Sequence, residues 1–292
     1  MYNTIEIETD ARGVATLWLA REDKHNALSA EMIRELTGAA KALGKDDGVR
    51  VVVLAAKGKS FCAGGDLRWM QDQMAADAQT RREGARELAM MLNALNELPK
   101  PLIARVQGNA FGGGIGMMSV ADVALGVPEA KFGLTEVKLG LIPATISPYV
   151  LARMGEDKAR RVFMSARLFG AEEARELNLL ARVVEADSLD AAVDAEVLPY
   201  LAAAPKAVAA SKALARSLGP AITPAIIEAT IDRLVETWEG EEAREGIAAF
   251  FEKRRAPWVL LGQRLWSVWP CEPCCLKNLG QNFFCLARLV PC

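Results

Sequence analysis

Apolar and polar residues alternate at the start of the chain, with Ile5 and Ile7 before Asp10-Ala11-Arg12-Gly13 and Val14, Leu17 and Leu19 after it. A period of two interrupted by a Gly-containing turn predicts a β-hairpin. The period then changes. Ser29 stands as an N-cap ahead of Met32, Ile33, Leu36 and Leu43, which share one side of an amphipathic helix. Arg50-Val51-Val52-Val53-Leu54-Ala55 is a continuous apolar run of strand length, the pattern of a strand buried on both faces of a sheet. A long polar stretch of helical composition follows Asp66 and closes at Leu98-Pro99-Lys100-Pro101, where proline forbids continuation. Leu102-Ile103-Ala104-Arg105-Val106 reads as the next strand and leads towards Gly112-Gly113-Gly114.

Strands and helices keep alternating to about residue 190, which predicts an α/β fold. From Pro199 to Trp258 the pattern is helical and Ala-rich, broken at Pro205, Gly219-Pro220 and Pro224. That region is expected to pack on the core or on a neighbouring subunit. At Val259 the character changes to Trp, Cys, Leu and Pro without a regular period. The chain is therefore divided at 1–198, 199–258 and 259–292, the last read as an unstructured or read-through extension.

Composition narrows the function classes. The chain has 292 residues, 51% hydrophobic and 25% charged, ample for a core. Its 35 basic and 37 acidic residues leave a net charge of −2, which points to neither nucleic acid nor an anionic membrane. The start lacks the basic and apolar segments of a signal peptide, and no apolar run reaches the roughly 18 residues of a span, so a cytoplasmic protein is predicted. Of six cysteines only Cys62 lies in the body, and a cytosolic chain keeps them as thiols. Cys271-x-x-Cys274-Cys275 has no second pair and no histidine beside it, so no metal site is assigned. The one histidine, His25, excludes sites needing several imidazoles, and no Gly-x-Ser-x-Gly elbow accompanies it.

Three segments carry candidate chemistry. Phe61-Cys62-Ala63-Gly64-Gly65-Asp66-Leu67 follows a buried strand, and its glycines let main-chain N–H groups approach a ligand, though a tight turn explains them as well. Gly112-Gly113-Gly114 opens a helix, where glycine is entropically costly. A helix N-terminus that must receive an anion offsets that cost, and close packing is the alternative. No Lys-Ser/Thr follows, so it is not a Walker loop. Glu136 lies among Phe132, Leu134, Val137 and Leu139. It is either a carboxyl with a raised pKa suited to proton transfer or a surface residue paired with Lys131 or Lys138.

Taken together, these segments resemble the enoyl-CoA hydratase/isomerase (crotonase) family. The resemblance rests on Ile103–Gly108 with Gly112–Gly114 and Ser119–Asp122, on Phe61–Leu67, and on Glu136 with Gly140-Leu141-Ile142-Pro143. Arg21…Lys24-x-Asn26-Ala27-Leu28 and Glu245–Phe250 with Lys253-Arg254 complete it, over about residues 4–258. It implies a spiral of ββα units with a C-terminal helical trimerisation region, assembled as a trimer or dimer of trimers. It implies an acyl-CoA thioester substrate, with CoA as part of that substrate and no tightly bound cofactor. The backbone N–H groups of Gly65 and Gly113 would form the oxyanion hole and Glu136 the acid/base. Lys24, Ala63, Gly65, Asp66, Leu67 and Arg68 would meet CoA, Lys24 being equally readable as a solvated loop residue. Gly112, Gly116 and Pro143 would line the substrate pocket.

The chain departs from the family twice. Two-carboxylate hydratases carry a glutamate two residues after the triple glycine, where this chain has Gly116. The Gly-rich stretch after Ile142-Pro143 becomes Ala144-Thr145-Ile146-Ser147-Pro148-Tyr149. A lone Glu136 suits either hydration or movement of a double bond. The Ile-Pro-Ala-x-Ile-Ser-Pro stretch is similar to bacterial hydratases of branched, carboxylated enoyl-CoAs of the methylglutaconyl-CoA and isohexenylglutaconyl-CoA type, which favours hydration. A non-catalytic acyl-CoA-binding scaffold is the alternative of another class, opposed by the retention of Glu136 and both glycines.

Overall fold

The computed structural model describes residues 2–259. Its N-terminal hairpin pairs β1 (Ile5–Thr9) antiparallel with β2 (Val14–Leu19), so that Ile5 faces Leu19 and Ile7 faces Leu17. Asp10 Oδ1 ties the turn by accepting from the amides of Arg12 (2.8 Å) and Val14 (3.1 Å). Helix α1 (Ala30–Lys45) starts where Ser29 Oγ accepts from Met32 N, and it buries Met32, Ile33, Leu36 and Leu43. The apolar run forms β3 (Val51–Ala56), buried at every position, and the short β4 (Ser60–Cys62) follows.

The polar stretch after Asp66 is two helices, α2 (Leu67–Ala75) and α3 (Ala78–Asn96), rather than one. Asp77 makes the break by capping α3, its carboxylate accepting from Thr80 N at 2.8 Å. Arg81 then spans the gap by donating to the carbonyls of Gln73 and Ala76. Next come β5 (Leu102–Val106), β6 (Asn109–Phe111), α4 (Gly113–Val120), β7 (Val123–Gly126) and β8 (Lys131–Gly133). Helices α5 (Ser147–Met154) and α6 (Glu156–Phe163), strand β9 (Phe169–Gly170), α7 (Ala171–Glu176) and β10 (Arg182–Val183) follow. The helical region begins before Pro199, with α8 (Leu189–Leu201), in which Pro199 sits near the end and removes only one ladder bond. It continues through α9 (Pro205–Leu218), α10 (Pro224–Glu239) and α11 (Glu241–Phe251).

Two sheets result, one ordered β1-β2-β3-β5-β7-β10 and one β4-β6-β8-β9. Successive passes of the chain give one strand to the large sheet, the next to the small sheet, and then helix. Thus β3 and β4 precede α2 and α3, β5 and β6 precede α4, and β7 and β8 lead towards α5. This is a spiral of ββα units, with parallel pairing from β2 through β10 in the large sheet.

The main apolar cluster lies around these sheets, with Val51, Leu54, Ile103 and Ile115 at its heart. A second cluster joins Ala85 and Ala89 of α3, Leu141 and Ala144, Ile227, Ile231 and Trp238 of α10, and Ile247 of α11. Residues 2–256 form one compact unit. The expectations for 259–292 lie, beyond Val259, outside the described residues. Among the described residues no helix is long and apolar enough to cross a membrane, and no cluster of His, Cys, Asp and Glu is placed to hold a metal.

Candidate active site

After β4 the chain turns through Ala63-Gly64-Gly65, and Gly64 takes φ +95°, a conformation that favours glycine. Leu28 bridges this turn: its N–H donates to Gly64 O (2.8 Å) and its carbonyl accepts from Asp66 N (3.0 Å). In a parallel bridge the residue between two such bonds directs its own N–H to the opposite side. The Gly65 N–H therefore faces away from Leu28, and it has no acceptor among the described residues.

The loop beneath is locked by Arg21 and Asn26. Asn26 is fully buried, accepts from Arg21 N (2.9 Å) and donates to the carbonyls of Lys57 (2.8 Å) and Ser60 (2.9 Å). The Arg21 guanidinium donates to Ala27 O (2.6 Å) and to Asp66 Oδ2 (2.9 Å). Asp66 Oδ1 also caps α2 through the amides of Arg68 and Trp69. Burial opposes ionisation of Asp66, but Arg21 and the two amides outweigh it and hold the carboxyl below its usual range. The Asp66 side chain is thus committed to the scaffold. In the sequence Arg21 and Asn26 stand out only within the Arg21–Leu28 segment; polar side chains in a turn are the signal that they hold it.

The triple glycine forms the start of α4. Gly112, with φ +46°, is its N-cap, and Gly113 is its first helical residue, whose N–H has no intrahelical acceptor. These glycines are required by close approach. A Cβ on Gly113 would lie 2.5 Å from Leu28 Cδ1, and one on Gly114 would lie 2.8 Å from the Cys62 carbonyl. A Cβ on Gly112 would lie 3.0 Å from Glu136 Oε1 and 3.9 Å from Gly64 Cα. The three candidate segments therefore converge at Gly112.

Glu136 opens the 3-10 turn Glu136–Leu139. Its Oε2 is buried without a hydrogen-bond partner, and it makes no ion pair among the described residues, with Lys131 and Lys138 or otherwise. Burial pushes its carboxyl up to about 7. The turn is braced from the C-terminal side. Gly140, at φ +70°, lets the Glu242 backbone approach, since a Cβ there would lie 2.3 Å from Glu242 C. A Cβ on Gly246 of α11 would lie 2.6 Å from Leu139 C.

The remaining predicted residues fall around this centre. Ala63, Gly65, Gly113 and Glu136 are half-buried, whereas Gly112, Gly116 and Pro143 are buried. Leu67 and Arg68 are exposed at the start of α2, and exposed Lys24 lies 3.7 Å from Asp23. Burial pushes the Cys62 thiol up to about 12, which makes it a poor nucleophile. His25 Nδ1 lies 3.2 Å from Ser60 Oγ on the exposed side of the loop. A separate cleft of about 1200 Å3 opens at the other end of α4, beside Asp122, Arg153 and Lys212, and holds none of the predicted site residues.

Known proteins are similar to this chain in sequence and fold. Residues 9–260 match the family model described as enoyl-CoA hydratase/isomerase. A crystal structure of an enoyl-CoA hydratase from Shewanella pealeana is 38% identical, with a TM-score of 0.73 over 88% of this chain and 97% of that one. The structure of Pseudomonas aeruginosa AtuE is 34% identical, with a TM-score of 0.73 over 87% and 98%. A protein of Syntrophomonas wolfei named crotonyl-CoA hydratase is 29% identical over 268 residues, 88% of this chain and 98% of that one. With the ββα spiral, the paired glycine turns and the match over most of its length, the chain belongs to the enoyl-CoA hydratase/isomerase family.

Proposed function

We propose that the protein is an enoyl-CoA hydratase that adds water across the double bond of a 2-enoyl-CoA thioester with Glu136 as its acid/base. The observation that carries this reading is the convergence at Gly112, where a carboxyl of pKa about 7, its Oε2 without a hydrogen-bond partner, adjoins the turns bearing the Gly65 and Gly113 N–H groups. Those two N–H groups donate to the thioester oxygen. Glu136 takes a proton from water as the water oxygen bonds to C3, and the C2=C3 electrons move onto the thioester oxygen as an enolate. The enolate then collapses as Glu136 returns a proton to C2, so the net change is one water added. Preorganised donors are worth about 3 kcal/mol each where charge develops, and a base with a pKa near the working pH suits proton transfer in both directions.

CoA enters as part of the substrate and needs no separate cofactor. Ala63, Gly65, Asp66, Leu67 and Arg68 offer it the rim of the first turn, Asp66 through its main chain, and exposed Lys24 suits its phosphates. The acyl chain is branched or carboxylated: with Gly116 in place of a second glutamate, no acidic group at that position repels a substrate carboxylate. The chain assembles as a trimer or dimer of trimers, as suits α9, which has no buried residue and carries Leu214 and Leu218 on its exposed side. Because Glu136 is a single proton carrier, movement of a double bond is the second reading.

Incubation with crotonyl-CoA, 3-methylglutaconyl-CoA and a 3-enoyl-CoA separates the readings. Hydration removes the absorbance of the conjugated thioester, fastest with 3-methylglutaconyl-CoA. Isomerisation of the 3-enoyl ester creates that absorbance. Silence with all three esters beside measurable CoA-ester binding would leave a scaffold instead.

A further inference from the structure

The two departures from the family pattern, Gly116 and Ile146, meet in space. Gly116 is buried in α4, one turn after Gly112, whose carbonyl accepts its N–H at 3.1 Å. A Cβ on Gly116 would lie 2.7 Å from Ile146 Cγ2, 3.2 Å from Ile146 Cβ and 3.4 Å from Leu92 Cδ1. Ile146 is 3% exposed and sits immediately before α5, its carbonyl accepting from Tyr149 N and Val150 N at 3.1 Å each. A β-branched side chain has few χ1 alternatives, and the start of α5 fixes its backbone. The methyl group therefore has little freedom to yield.

We propose that Ile146 is the specificity-determining residue of this site, filling with a methyl group the space that a second acid/base carboxylate on position 116 would need. Positions 116 and 146 are then one coupled choice. A carboxylate at 116 requires a small residue at 146, and an isoleucine at 146 requires glycine at 116. The consequence is that water and protons reach the double bond only from the Glu136 side, because at Gly116 the buried side chains of Ile146 and Leu92 occupy the place of a second carboxylate. This rests on the reading of Glu136 as the acid/base of a hydratase, but the steric coupling stands on its own geometry.

A mutant cycle separates the two. Melting temperatures of G116A, I146A and G116A/I146A read the coupling without any activity. G116A is expected to melt a few degrees below the wild type, and the double variant no lower than I146A alone. Additive losses, or G116A melting with the wild type, would overturn the coupling. The second measurement is hydration by G116E and G116E/I146A, each also in an E136Q background. The double exchange is expected to hydrate at least tenfold faster than G116E, mainly through kcat with KM little changed. In the E136Q background it is expected to restore at least tenfold over E136Q alone. Equal rates with and without I146A would overturn the assignment of Ile146. A wild type silent towards every 2-enoyl ester would sink the hydratase reading while leaving the melting cycle to judge the steric one.

Discussion

The two halves of the candidate site are built differently. The side proposed to hold the oxyanion, Gly64–Gly65 with Gly112–Gly114, stands on the main apolar cluster and is fixed by main-chain bonds through Leu28 and by the Arg21–Asn26–Asp66 lock. The carboxyl side, Glu136 and its turn, leans on the second cluster formed by α3, α10 and α11. Ion pairs from Arg82 to Asp232 and from Arg86 to Glu228 hold α10 on α3. Exposed pairs of this kind contribute modestly, so apolar burial around Ile231 and Trp238 supplies most of the attachment. Ester binding should therefore survive insults that abolish proton transfer.

The strongest test of that division is Glu136→Gln, expected to lower kcat by about 10²–10⁴-fold, the range of general acid–base catalysis. CoA-ester affinity measured by calorimetry should change less than threefold; a parallel loss of binding would unite the halves. Gly113→Pro removes one oxyanion donor and is expected to cost about 10²–10³-fold in kcat. An unchanged rate would place the thioester oxygen elsewhere. Gly246→Ala reaches Glu136 only through Leu139, and displacing a catalytic group by about 1 Å costs about 10²-fold. Its kcat should fall while KM stays near the wild type; a KM effect alone would detach α11 from the carboxyl side. Arg21→Ala breaks the lock on the other side and should raise KM severalfold with kcat nearly constant.

The smallest expected effect lies in pH. Burial raises the Glu136 carboxyl from 4.5 to about 7, so kcat/KM for hydration should climb with pH through about 7 as the base form appears. Stability runs the other way. The folded state holds this proton more tightly than the unfolded chain, so its contribution is present at low pH and is lost as pH rises through about 7. Glu136→Gln, which cannot ionise, should thus gain in Tm over the wild type above pH 7 and lose that gain near pH 5. A constant gap across this range would mean that Glu136 is not desolvated.

Much of the architecture was legible because it is local. The Ile5–Leu19 alternation, the Ser29 cap and the apolar run at Val51 each state their element within a few residues. The division of the polar stretch is not legible in the sequence, since Asp77 resembles its polar neighbours and only the folded chain shows its carboxylate capping α3. The glycines were legible as needing close approach, but not what approaches them. Leu28 over Gly113, Ile146 over Gly116 and the α11 backbone over Gly140 lie far apart in sequence, and no local period encodes such meetings. The surroundings of Glu136 were half legible, because its apolar flanks announce burial while the absence of a Lys131 or Lys138 partner depends on tertiary placement.

The dependence of the Glu136 turn on α11 has a consequence for how the protein is born. Translation delivers Leu28, Gly65 and Gly113 long before Gly246, and earlier segments can fold as the chain emerges. A nascent chain halted before α11 would then own a cradle for the thioester but no braced base to act on it. Under this reading catalytic competence arrives with α11, which makes turnover a report on synthesis through that helix.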